Sequence, residues 1–313
     1  MSCTQGVLVA LTLAFVLVCP SVNAYGDEAL NPKAPVLAAA AVAQAEDANV
    51  LKAFSLSLDY TLVTDYVWRG INLSEYAGEG REKLNHQLSV GVEFTPGEAG
   101  LPDIGTFGFN VWFEWYGGQE KLTPGSADNL QETDYTIYWS YDLSKICAVL
   151  PLDFETGWIG YNFPRLKGDA HFTNEWYFSL ALQDEKVFGR SLLNPTVTYY
   201  MDLDDVQAGF LTLGISHDFP LAELGLQGCP VMKDVTVTPS LLLALDHRYY
   251  DKVGLGASTS TGTKLAYIEY GLAAAYDLSS ALSIPEKYGA FGVTGFLNFS
   301  QSLHDQNAAV QDE

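Results

Sequence analysis

The chain has 313 residues, 48% of them hydrophobic and only 17% charged, which excludes a disordered chain and is charge-poor for a water-soluble one. Its formal net charge of −22 argues against a nucleic-acid partner and against docking on anionic lipid through a basic patch, because both need Lys and Arg. The length suits one large barrel or two ordinary domains.

Residues 1–24 read as a signal peptide. Val7 to Val18 is an apolar run broken only by Thr12, Pro20 and Ser21 end it, and Val22-Asn23-Ala24 offers a small-residue cleavage site. The run is short for a spanning helix, although Met1 to Gly6 lacks the usual basic residue. Residues 25–52 are Ala-rich with scattered Asp, Glu and Pro, and read as a flexible linker. No apolar run of spanning length follows residue 24, so a membrane location would require strands.

Residues 53–313 change pattern. Eleven segments of roughly ten residues alternate apolar and polar positions: 54–70, 85–95, 105–116, 132–142, 152–163, 172–183, 194–202, 207–218, 234–248, 264–277 and 288–301. In the third, Phe107, Phe109, Val111, Phe113 and Trp115 alternate with Thr106, Gly108, Asn110, Trp112 and Glu114, so a period of two sorts them onto the two faces of a sheet. The connections alternate as well, between Pro, Gly and Leu-containing turns and polar loops, as the two rims of a membrane barrel would. Tyr141-Asp142-Leu143-Ser144 and Tyr276-Asp277-Leu278-Ser279 end two segments in the same way, an aromatic followed by a turn Asp. The expected fold is therefore all-β, an antiparallel up-and-down transmembrane barrel with eleven visible strands of a twelve-stranded total, the last one missing. A secreted β-sandwich is the competing architecture. The strand lengths, the exported leader and the charge-free apolar face favour the barrel.

The first segment carries Val63-Thr64-Asp65-Tyr66-Val67-Trp68-Arg69-Gly70-Ile71, which resembles the opening signature of the TorF-like porins, the Gcw_chp family. Gly157-Trp158-Ile159-Gly160-Tyr161-Asn162-Phe163-Pro164 is similar to that family's Gly-rich aromatic strand. The resemblance implies a bacterial outer-membrane barrel of twelve strands with no established substrate.

Simple alternation through the first segment puts Leu56, Leu58, Tyr60 and Leu62 outside and Asp59, Asp65 and Arg69 inside. With Glu93, Glu114, Asp134, Glu175 and Glu269 these form the expected lumen lining and ion pathway, net acidic and cation-attracting. The same register assigns Tyr66, Trp68, Trp115, Tyr141, Tyr161, Tyr199, Tyr249 and Tyr276 to two aromatic girdles. Cys147 and Cys229, the two Cys beyond residue 24, fall in turns of one rim, where oxidation permits a disulfide that the separation of the turns opposes. No motif for a metal, a cofactor or a catalytic triad is present. His86 and His247 with Ser74, Asp246 or Asp251 are the weak candidates for a rim hydrolase. The expectation is a non-enzymatic porin or passive channel for small solutes or ions, partnered by outer-membrane lipid. The alternatives are a non-conducting barrel with a filled lumen and, more remotely, the hydrolase.

Overall fold

The computed structural model describes residues 52–72, 84–116, 130–164, 172–204, 206–252, 262–285 and 288–303. The expected signal peptide, the linker up to residue 51 and Ser74 lie outside these. The described chain is an antiparallel β-sheet with a few short helices. Its strands are β1 Phe54–Val63, β2 Val67–Trp68, β3 Ile71–Asn72, β4 Asn85–Phe94, β5 Thr106–Tyr116, β6 Leu130–Asp142, β7 Leu152–Asn162, β8 Phe172–Leu182, β9 Thr196–Asp202, β10 Gly209–Ser216, β11 Phe219–Pro220, β12 Val235–His247, β13 Thr263–Asp277 and β14 Gly292–Ser302.

Neighbours in sequence pair in space, in the order β1-β4-β5-β6-β7-β8-β9-β10-β12-β13-β14. β11 pairs only with β12, and β2 and β3 form a separate hairpin. Each of the eleven expected segments holds one strand of this path. Only the first is materially wrong: residues 54–70 are not one strand, because β1 stops at Val63 and the chain turns into the β2–β3 hairpin. The end strands β1 and β14 are not paired with each other among the described residues.

The register sorts residue types onto two faces. Leu56↔Val92↔Phe109↔Ile137↔Trp158↔Trp176 run across six strands on one face, and Asp59↔Ser89↔Trp112↔Asp134↔Tyr161 run across five on the other. The first face carries no Asp, Glu, Lys or Arg at any outward strand position among the described residues. It leaves large apolar side chains exposed on both flanks and in the middle, among them Leu58, Phe109, Ile137, Phe178, Leu272 and Phe299. An apolar surface of this extent is what a protein hides from water.

The turns of one rim are fixed by carboxylates. Asp142 and Asp277, the two members of the repeated motif, accept the backbone N–H of Ser144 and Ser280 and cap the short helical turns Leu143–Lys145 and α3 Leu278–Leu282. In the β8–β9 turn, beside α1 Asp184–Phe188, Asp184 accepts N–H groups from Leu192, Leu193 and Asn194 at 2.9, 2.6 and 3.0 Å. Burial pushes its carboxyl up, but the N–H groups of Leu193, Leu192 and Asn194 outweigh burial and hold it below its usual range. Cys147 and Cys229 lie in two turns of this rim and no disulfide joins them. The strands β7 to β10 separate those turns, which is the distance that opposed the pairing.

Candidate functional site

The polar face owes its chemistry to the segment that follows β1. Trp68 pairs with Ile71, leaving Arg69 and Gly70 as a two-residue loop. Both have positive φ, 48° and 73°, the geometry of a type I′ hairpin turn. Gly70 suits it twice over: φ favours glycine, and a Cβ there would sit 2.7 Å from the ring of Tyr267. For Arg69 the left-handed conformation costs roughly 1 kcal/mol or more.

That cost is offset by what the hairpin reaches. Arg69 Nη2 donates to Glu175 Oε2 on β8 at 2.6 Å, and both side chains are 0% exposed. Tyr161 on β7 donates to the same oxygen at 3.0 Å. The guanidinium lies 4.1 Å from the ring centre of Tyr249, 4.7 Å from Phe210, 4.8 Å from Trp68 and 5.4 Å from Tyr200. Such desolvated cation–π contacts are each worth about 1–2 kcal/mol. Tyr250, in α2 Tyr249–Lys252, donates its hydroxyl to the Arg69 carbonyl. Just upstream, Tyr66 donates to Glu132 on β6 at 2.7 Å and packs against Trp112 on β5. Taking one partner from a buried ion pair typically costs about 3–5 kcal/mol, so this hairpin is held firmly in place.

These contacts also fix the shape of the sheet. Residues 66–70 touch side chains on β5, β6, β7, β8, β9, β10 and β13. Between β5 and β13 lie seven strand intervals, about 34 Å if the sheet were flat. Five residues reach at most about 14 Å. The sheet therefore curls around the hairpin, and the polar face is the concave one.

The concave face divides into two halves. Around the hairpin everything is packed: Gln87, Glu114, Ile159, Tyr200, Phe210, Leu242 and Tyr267 are buried. Toward the rim where β1 begins, the lining is small or half-buried, with Ser55, Ser57, Gly91, Asn110, Thr196 and Ala275. Glu93 there accepts from Tyr138 at 2.5 Å and from Ser55 at 3.1 Å, and Glu155 accepts from Tyr177 at 2.8 Å. At this rim a cavity of about 260 Å³ is bordered by Asp103, Lys145, Asp153, Glu155 and Ser179. Lys145 donates to Asp103 at 2.7 Å; that bond lowers the Asp103 carboxyl and raises the Lys145 ammonium from their ordinary values.

The structure places Asp59, Glu93, Glu114, Asp134, Glu175 and Glu269 on the concave face, as the alternation requires. Asp65 sits half-buried in the connector after β1, accepting from Thr64, and does not share a strand wall with Arg69. Lys264, opposite Asp246, adds a second inward cation. Trp115, Tyr141, Tyr199 and Tyr276 face outward. The girdle assignment fails for four residues. Tyr66 and Trp68 are turned inward because the hairpin breaks the alternation. Tyr161 is inward by the parity of β7, opposite Asp134, and Tyr249 is inward because Arg248 adopts φ 68° after β12 and bends the chain under the rim. His86 bonds Tyr60 and His247 bonds Thr263, while Asp246 accepts the N–H groups of Tyr249 and Tyr250.

Glu132, Tyr200, Phe210, Tyr250 and Tyr267 complete the cluster without any sequence motif to announce them. Parity alone could have placed Glu132, Tyr200 and Phe210 inward. Compared with known proteins, the chain matches no family model, no curated protein and no solved structure.

Proposed function

We propose that the chain is a bacterial outer-membrane β-barrel that passes small solutes or ions, cations preferentially, through a lumen that is closed around Arg69 in the conformation described. One observation carries this reading. Among the described residues the outward strand positions of the convex face carry no Asp, Glu, Lys or Arg, while carboxylates line the concave face from β1 to β13. Lipid outside and water inside is the environment that sorts residues so. The leader expected from residues 1–24, the strand lengths and the resemblance of residues 63–71 to the TorF-like porins support it. The excess of inward Asp and Glu over Arg69 and Lys264 supports cation preference.

Purified protein in planar bilayers under a potassium chloride gradient tests it. The current should reverse near the potassium potential. A reversal near the chloride potential overturns the cation preference. A second reading, a barrel with a permanently filled lumen, is favoured by the packing around the hairpin, and it requires that membrane-inserted protein carry no current at all.

A further inference from the structure

We propose that the hairpin of residues 67–72 is the gate of this channel, latched shut by the Arg69–Glu175 ion pair. The inference rests on the channel reading above. The hairpin follows β1 after the three-residue connector 64–66 and forms a two-stranded sheet of its own, apart from the main ladder. Among the described residues its ladder joins Val67 with Asn72 and Trp68 with Ile71, apart from the main sheet. Displacing it therefore leaves the strand pairing of the main sheet in place. The contacts that retain it include the ion pair to Glu175, the bond from Tyr250 to the Arg69 carbonyl, the aromatic stack over the guanidinium and the packing of Trp68 on Tyr161. These contacts join the flap to the wall at β8, β9 and β10, across the interior from β1. A flap so anchored spans the passage, and it leaves the passage when that anchor is released.

The latch chemistry also selects what releases it. The latch is an ion pair, so a competing anion at Arg69, a competing cation at Glu175 or removal of the Glu175 charge weakens it. Below the flap, on β1, β4 and β5, the lining is small or half-buried at Ser55, Ser57, Gly91 and Asn110.

The test uses the full chain in planar bilayers with single-channel recording. Arg69→Ala and Glu175→Gln should each raise the open probability at least tenfold over the wild type. A lock controls for misfolding. A Cβ at Gly70 would lie 3.1 Å from the Cβ of Tyr267, so a disulfide between cysteines at these positions forms once the backbones part by about 0.5 Å. Gly70→Cys with Tyr267→Cys, in a background of Cys147→Ser and Cys229→Ser, should be silent when oxidised and conduct when reduced, with the far-ultraviolet circular dichroism of β-sheet in both states. An oxidised lock that conducts as the wild type does overturns the gate and leaves the channel standing. Silence of the wild type, both unlatched variants and the reduced lock, in membrane-inserted protein, overturns both the gate and the channel.

Discussion

Ile137→Arg separates a bilayer from water as the medium of the convex face. Ile137 is the eighth of thirteen residues in β6, points outward between Phe109 and Trp158, and is 56% exposed in the isolated chain. Asp142, at the rim, lies five positions further along the strand. At about 3.4 Å per residue and a tilt of about 40°, that is roughly 13 Å along the membrane normal. An apolar band is about 25 Å tall, so Ile137 sits near its midplane, too deep for a guanidinium to reach headgroups without cost. Arg at the midplane of a barrel costs about 2–4 kcal/mol, a factor of roughly 30 to 1,000 in the folding equilibrium. Tyr141→Arg, four residues nearer the rim, should cost only about 0–1 kcal/mol. The assay is reversible urea unfolding from lipid vesicles followed by tryptophan emission. If the convex face meets water, an Arg at an exposed position changes stability by no more than about 0.5 kcal/mol. A neutral Ile137→Arg, or one no worse than Tyr141→Arg, would refute the membrane assignment.

Two further outcomes follow from the packing. The ring of Tyr138 lies across Gly108 on the neighbouring strand, where a Cβ would come within 2.0 Å of it. Gly108→Val should therefore displace the ring, break its bond to Glu93 and cost about 1–3 kcal/mol in denaturant unfolding; an unchanged midpoint would contradict the close approach. Asp184 has a depressed folded value, so its contribution is fully present above the unfolded carboxyl value of about 3.9 and fades as pH falls through the lower folded one. Asp184→Asn should lose about 1.5–3 kcal/mol at pH 7 and progressively less below pH ~4, and a pH-independent difference in thermal stability would contradict the three N–H bonds.

Most of the sheet was legible because a half-buried strand writes its two environments into alternate positions. Phe107 to Trp115 against Thr106 to Glu114 is sufficient to give β5, its direction and its faces. The hairpin at 67–72 was not legible. Val67-Trp68 continues the extended pattern of β1, and an Arg in the first loop position is not the Asn or Asp that marks a type I′ turn. Alternation carried past Val63 then put Arg69 on the correct side for the wrong reason and Tyr66 and Trp68 on the wrong side. Tyr161 was within reach, since Trp158 outward makes Tyr161 inward. Tyr249 was not, because its direction depends on the left-handed turn at Arg248. The partner of Arg69 could not have been named either: Glu175 lies 106 residues away, and only the curl of the sheet brings it there.

The two end strands of the sheet run in the same sense, because each step along an antiparallel path inverts direction and ten steps separate β1 from β14. In a closed barrel of the kind proposed, a single strand running the other way would hydrogen-bond to both edges at once, whereas a hairpin inserted there would match one edge and oppose the other. The seam of such a barrel would in that respect be a complementation socket. A synthetic strand of about ten residues, apolar at every second position and supplied in trans, would have one register on each side to read. A dye or affinity tag on it would mark the sheet without altering any residue of the eleven strands.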